Sequence, residues 1–164
     1  GSAILKPEPS QAKEIIEEAL APLKIPIELK EINLELAIEG EIILNVDRYW
    51  TIEALVNIIK NAYEHTPPKG TLKISVEENP IYVLIEIKDN GCGIKKEDLP
   101  HIFERFYKAD ANKESIGIGL NLSKKIIDKQ SGDISVKSKI NEGTTFKIKF
   151  FKNIIETRVT ELSR

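Results

Sequence analysis

Residues 81–94 read Ile-Tyr-Val-Leu-Ile-Glu-Ile-Lys-Asp-Asn-Gly-Cys-Gly-Ile. The run Ile81 to Ile87 is nearly all apolar and has the length of a strand, the pattern of a central strand buried on both faces. An acidic residue, Asp89, stands at its end. Gly91 and Gly93 follow at alternate positions, where glycine admits backbone angles other residues resist and leaves room for a flat ligand. A carboxylate in that place is an acceptor suited to an exocyclic amine such as that of adenine. Asp-Asn-Gly is also ordinary turn chemistry, so this stretch alone leaves both readings open.

Before it, Leu72, Ile74 and Val76 alternate with polar residues as a second strand, joined through a turn at Glu78-Asn79-Pro80. Thr66-Pro67-Pro68-Lys69-Gly70 stops a long helix expected from a cap at Asp47 to about Glu64. A short strand over Ile42 to Val46 leads into that helix, after a turn at Gly40-Glu41. Further upstream, Ser10 is expected to cap a helix with apolar Ala12, Ile15, Ile16, Ala19, Leu20 and Leu23. Pro26 should end any helix there, and a strand-like stretch runs from Ile27 to Ile38.

Downstream, Lys95 to Phe106 suggests short helical turns and Tyr107 to Ser115 a polar loop. A second long helix opens at Gly117-Ile118-Gly119 and reaches about Gln130. Ile134 to Ile140, a turn at Asn141-Glu142-Gly143, and Thr144 to Phe151 form a closing hairpin. Two long helices with strands in mixed order predict an α+β fold: a two-layer sandwich, its mixed, mostly antiparallel sheet covered by helices on one face.

Three further segments carry candidate chemistry. In the helix from Asp47, Glu53, Asn57 and Asn61 recur every fourth residue and form one polar stripe. Asparagine is a mediocre helix former, so two on one face suit amide oxygens that reach a hydrated cation or phosphate; Mg²⁺ takes few protein ligands and keeps its waters. A solvated polar face is the plainer alternative. Gly117-Ile118-Gly119-Leu120 stands at a helix start, where free N–H groups and the helix dipole favour phosphate. It is not a dinucleotide fingerprint, because a polar loop precedes it and Leu122 occupies the third glycine's place. A flexible hinge is the plainer alternative. Gly143-Thr144-Thr145-Phe146 is on its own a hairpin turn entering a strand.

The composition, 41% hydrophobic and 30% charged over 164 residues, is that of one globular domain. A net charge of -2 gives no electrostatic case for nucleic acid as a partner. Cys92 is the only cysteine, which excludes an intrachain disulfide or a cysteine zinc site and fits a reducing, cytoplasmic setting. No apolar run has the length of a membrane span. Gly1-Ser2 without a methionine reads as a cleaved tag. The expected organisation is tag remnant and linker over 1–9, the folded domain over 10–152, and a tail over 153–164, either weakly amphipathic helix or disordered.

Taken together and in this order, the segments resemble the N, G1, G2 and G3 boxes of histidine kinase catalytic domains. That superfamily also holds gyrase, the ninety-kilodalton heat-shock chaperone and MutL-type ATPases. Phe103-Glu104-Arg105-Phe106-Tyr107-Lys108 resembles the F box of the same domains, and the likeness runs from about Ser10 to Phe151. It implies ATP and Mg²⁺ as cofactors. Asn61 would be the Mg²⁺ ligand, with Asn57 beside the phosphates, the two forming the catalytic pair. Asp89 would contact adenine, and Gly91, Gly93 and Ile94 would shape the pocket. Phe103 and Phe106 would anchor a lid over Tyr107 to Ile116. Arg105, Tyr107 and Lys108 would approach the nucleotide from that side, and Gly117, Ile118, Gly119 and Leu120 would lie along the triphosphate. Thr145 would support the pocket next to Asp89. The sequence departs from the family where Lys-Tyr often follows the second Asn: here Glu64-His65 stands instead. His65 is a further contact, stacking on adenine or ribose, or else a plain helix-end histidine.

The resemblance further implies that the γ-phosphoryl goes to a histidine on a separate dimerisation domain, and from there to a response regulator. Neither His65 nor His101 is followed by the acidic residue of such an acceptor site. The chain is therefore expected not to phosphorylate itself; it is also expected to be monomeric, and the resemblance implies a parent in the cell membrane. Three rivals share the fold. An ATP-hydrolysing member would need a general base, which relatives place as Glu where Asn57 stands. An anti-sigma-type serine kinase would transfer to a protein serine, and a non-catalytic interaction module would bind no adenine nucleotide.

Overall fold

The computed structural model describes residues 4–107 and 119–152. In chain order the strands are β1 (Pro7–Gln11), β2 (Asn33–Ile38), β3 (Ile43–Asp47), β4 (Thr71–Glu78), β5 (Tyr82–Asp89), β6 (Asp133–Lys139) and β7 (Gly143–Phe151). The helices are α1 (Ala12–Leu20), α2 (Lys24–Leu29), α3 (Arg48–His65) and α4 (Gly119–Lys129). β1 and β3 pair as a small antiparallel sheet, and the main sheet has the order β2-β4-β5-β7-β6. Only β2 and β4 run parallel, joined by the crossover that contains α3; the other pairs are antiparallel. The expected α+β architecture is the observed one.

β5 is central, but only one of its faces is buried. Val83, Ile85, Ile87 and Asp89 point into the core, whereas Tyr82, Leu84 and Glu86 are half-exposed. The expectation of burial on both faces is corrected because the helices cover one side of the sheet alone. Outer apolar groups are partly shielded by neighbours: Tyr82 meets Phe151 edge-on at 6.1 Å, and the Lys149 ammonium lies 4.6 Å from its ring centre.

α3 begins as expected. Asp47 Oδ1 accepts the Trp50 N–H at 3.0 Å, a side-chain cap on an otherwise unpaired helix donor. Thr51, Ala54, Leu55, Ile58, Ile59 and Ala62 are its buried face. Leu55, Ile58, Ile59 and Ala62 join Ile15 and Ile16 of α1 and the inner residues of the sheet in one core. Ser123 at 0% exposure bonds to the Ala54 carbonyl at 2.8 Å, and Gln130 spans from the Asp47 N–H (2.7 Å) to the Thr51 hydroxyl (3.0 Å). These contacts set α4 antiparallel to α3.

Two local expectations fail for clear reasons. Ser10 lies within β1 and caps nothing; the first helix N–H, from Ala12, donates instead to the Ile42 carbonyl at 2.8 Å, so no side-chain cap is required. Strand pairing with β3 thus begins at Pro7, within the 1–9 stretch. Pro26 does not stop the helix either, because it sits in the first turn of α2, where a missing N–H costs nothing. Strand structure begins at Asn33 rather than Ile27.

Candidate functional site

Along α3, Glu53, Asn57, Asn61 and His65 recur each turn and are all half-buried. The N-terminus of α4 meets this stripe. A Cβ placed on Gly119 would lie 3.4 Å from the Asn57 amide carbon, so the first turn of α4 stands directly against that side chain. Free N–H groups and the dipole at a helix start favour an anion. The Ser123 hydroxyl, bonded to Ala54 O and 3.0 Å from Gly119 O, holds the two helices in this register.

Two turns further along α3, the Asp89 loop closes on the helix end. Gly91 comes so near that a Cβ on it would fall 2.1 Å from the His65 carbonyl oxygen, so only glycine fits. Its N–H donates to Asp89 Oδ1 at 2.8 Å. Asp89 is 2% exposed, and burial pushes its carboxyl above the ordinary aspartate range. The Gly91 and Thr144 N–H groups and nearby His65 partly offset that rise by favouring the carboxylate. His65 Nδ1 lies 2.7 Å from the Asn61 carbonyl, which can only accept, so Nδ1 carries a proton. In the neutral ring Nε2 is then the acceptor.

The rest of the loop is fastened to the β6–β7 hairpin. Gly93 has φ +76°, and a Cβ there would lie 2.2 Å from the Lys139 carbonyl oxygen. The Cys92 carbonyl accepts the Asn141 N–H at 2.8 Å, and the Ile94 N–H donates to Ser138 Oγ at 2.7 Å. Asn90 turns away from the site, its Oδ1 accepting the Thr71 N–H at 2.8 Å. Ile94 and Leu120 pack, half-buried, against the core.

The neighbour of Asp89 is Thr144, not Thr145. Asp89 pairs with Thr144 across β5 and β7, and both are buried on the inner face. Thr145 pairs with Lys88 on the outer face, because successive strand residues point to opposite sides. Counting inward from the apolar Phe146 would have found Thr144. Ser138, which touches both the loop and Thr144, gave no sequence signal.

At the expected lid base, Phe103 packs edge-on against Phe146 at 6.3 Å, and its carbonyl accepts from the Asn121 amide at 3.0 Å. Phe106 is 58% exposed at φ 66°, with the Arg105 guanidinium 4.8 Å from its ring centre. The Tyr107 hydroxyl donates to Asp98, which raises its pKa, beside a His101–Glu104 pair at 2.7 Å. Arg105 is thus exposed and Tyr107 half-buried, each engaged with a neighbour in its own segment. Lys108, Gly117, Ile118 and most of the expected lid lie outside the described residues. A separate groove of about 590 Å³, lined by Pro7, Ile43, Val83 and Phe150 among others, lies at the far end of β5 from Asp89.

Residues 46–154 match the histidine kinase-, DNA gyrase B- and HSP90-like ATPase family, and the chain belongs to it. Within that family it is the ATP-binding catalytic domain of a sensor histidine kinase. It is 41% identical over 115 residues to sensor protein SrrB of Staphylococcus aureus strain MRSA252; the match covers 64% of this chain and 20% of SrrB. The chain therefore spans about a fifth of that relative's length. The catalytic domain of histidine kinase ThkA superposes with a TM-score of 0.81 at 26% identity, covering 90% of this chain and 96% of that one. The mycobacterial sensor histidine kinase MprB shares the fold, with a TM-score of 0.80 at 23% identity over 89% of this chain and 97% of that one. Among the described residues no helix is long and apolar enough to cross a membrane.

Proposed function

We propose that this chain holds Mg-ATP along the α3 stripe, with adenine at Asp89 and the phosphates at Asn57, Asn61 and Gly119. It presents the γ-phosphoryl to a histidine on a separate dimerisation domain. The observation that supports this most is that both ends of one stripe are closed by backbone: Gly119 against Asn57, and Gly91 against His65. Those ends are about 12 Å apart along the helix, so one ligand with an amine at one end and phosphates at the other reaches both. Asp89 supplies a charged acceptor for the base amine. The α4 N-terminus supplies donors for phosphate.

The half-buried Asn61 amide oxygen is a hard, neutral donor that fits Mg²⁺, an ion that takes one or two protein oxygens and completes its shell with phosphate and water. Bound there, it would neutralise phosphate charge. Phosphoryl transfer asks for that and for positioning rather than for a covalent partner. Hydrolysis would also ask for a base beside the γ-phosphoryl. Asn57 is an amide and takes no proton, and Glu53 stands a full turn, about 5–6 Å, further from the Gly91 end.

In the full-length protein the phosphoryl group would pass from the histidine to a response regulator, in a parent anchored to the membrane. ThkA, a structural relative, is seen in complex with response regulator protein TrrA. Calorimetry and γ-labelled ATP test the reading. The isolated chain should bind Mg-ATP at one site as a monomer, turn it over negligibly, and label no histidine until a dimerisation domain is added. No nucleotide binding, rapid hydrolysis, or label on His65 or His101 would each overturn it.

A further inference from the structure

The geometry points to Ser138, on β6, as the positioning residue that holds the adenine-side loop in its binding shape; this rests on the nucleotide site proposed above. The Ser138 hydroxyl accepts the Ile94 N–H at 2.7 Å, the last donor of the loop that begins at Asp89. The same oxygen lies 3.0 Å from the Gly143 carbonyl and 2.8 Å from Thr144 Oγ1. A serine hydroxyl has one proton and two lone pairs, so this set of partners fills its bonding capacity. Ser138 pairs with Thr144 across the hairpin, and Thr144 pairs with Asp89. One oxygen therefore ties the end of the loop to the strand residue beside the buried carboxylate.

That tie is the side-chain one holding the end of the loop. Its middle is held by backbone, with Cys92 O receiving Asn141 N–H, and Gly91 has no side chain to pack. Gly93 adopts φ +76°, so the chain turns back toward β6 just before Ile94. Without the Ser138 oxygen the part-buried Ile94 N–H loses its acceptor, and the end of the loop is freed to shift toward water or another partner. That movement reaches Gly91, whose N–H orients Asp89. Ser138 touches none of Asn57, Asn61 or Gly119, so its influence should stop at the adenine end.

The test compares Ser138→Ala, Ser138→Thr and the unmodified chain by calorimetry with ATP, ADP and adenosine, with and without Mg²⁺. Ser138→Ala should weaken all three ligands together, by on the order of ten-fold for one lost hydrogen bond. The factor by which Mg²⁺ improves ATP binding should stay unchanged. Ser138→Thr, which keeps the hydroxyl, should recover most of the affinity. Equal ATP affinity in Ser138→Ala and the unmodified chain, or a loss confined to the Mg²⁺-dependent part, overturns the assignment. Should Ser138→Ala not fold, hydrogen exchange on the unmodified chain decides: strong protection of the Ile94 amide is expected, and free exchange overturns the tie. If the unmodified chain binds no nucleotide, it is the proposed site that fails, a result distinct from any of these.

Discussion

Gly91 and His65 meet at the point where the sheet's central strand hands its loop to the end of α3: a Cβ on Gly91 would lie 2.1 Å from the His65 carbonyl oxygen. Both partners are backbone, so no side chain can swing away to make room. Gly91→Ala must therefore displace either the last turn of α3 or the Asp89 loop. We expect a loss of about 1–3 kcal/mol in stability and a marked loss of ATP affinity. Thermal unfolding and calorimetry check this, and an unchanged midpoint with unchanged affinity would refute the contact.

Asp89 carries a pH signature. Its carboxyl titrates above the ordinary aspartate range because burial disfavours the charge, with the Gly91 and Thr144 N–H groups and His65 pulling the other way. A raised acid pKa means the folded state holds its proton more tightly than the unfolded one. The resulting stability is fully present below the unfolded pKa and is lost as pH rises through the folded one. Asp89→Asn removes that term, so relative to the unmodified chain it should gain stability as pH climbs from the ordinary aspartate range to neutrality. At neutral pH the same substitution removes a charged acceptor and should cost ATP roughly 1.5–3 kcal/mol. Affinity in the unmodified chain should also begin to fall, on acidification, at a higher pH than an ordinary aspartate would give. Parallel stability curves for both proteins across that range would contradict the burial account.

How far such a site can be read in advance depends on which contacts are local. Asp47 was legible as a cap because capping needs only a residue type and the helix after it, and its bond to Trp50 N–H bears that out. The Asn57–Asn61 stripe was legible because helical period alone puts the two on one face. Ser10 and Pro26 misled for the opposite reason. The Ala12 N–H finds its acceptor at Ile42, distant in sequence, and Pro26 falls in a first turn that tolerates it. Alternation from Phe146 puts Thr144 on the inner face, but setting it and Ser138 beside Asp89 needed the register of two strand pairings, β5–β7 and the β6–β7 hairpin. No spacing in the sequence encodes that register.

Lys30 offers a prediction that no motif suggested. Its ammonium donates to the carbonyls of Tyr63 (3.0 Å) and Glu64 (3.1 Å) in the last turn of α3, where Tyr63 also receives the Thr66 N–H at 3.2 Å. A cation in that place complements the helix dipole and adds a charged donor to the terminal carbonyls. Lys30→Met keeps the aliphatic stem and removes the donors. It should lower stability by about 0.5–1.5 kcal/mol, read as a shift in urea midpoint without a change in slope. Lys30→Arg should lose less, and an unshifted midpoint in Lys30→Met would show the contact to be idle.

Asn61 separates the metal from the base. Its side chain lies on the stripe between Asn57 and His65, while its own carbonyl is taken by His65 Nδ1 at 2.7 Å. The substitution Asn61→Ala leaves that backbone bond in place and removes only the amide. If the amide oxygen is the protein's ligand to Mg²⁺, the variant should bind ATP without metal about as well as the unmodified chain. The improvement that Mg²⁺ brings should shrink, by on the order of ten-fold for one lost ligand contact to a charged ion. Calorimetry across a Mg²⁺ series reads both quantities at once. A variant that keeps its full Mg²⁺ response would remove Asn61 from the metal site. A variant that loses ATP equally with and without Mg²⁺ would instead place its amide on the nucleotide itself.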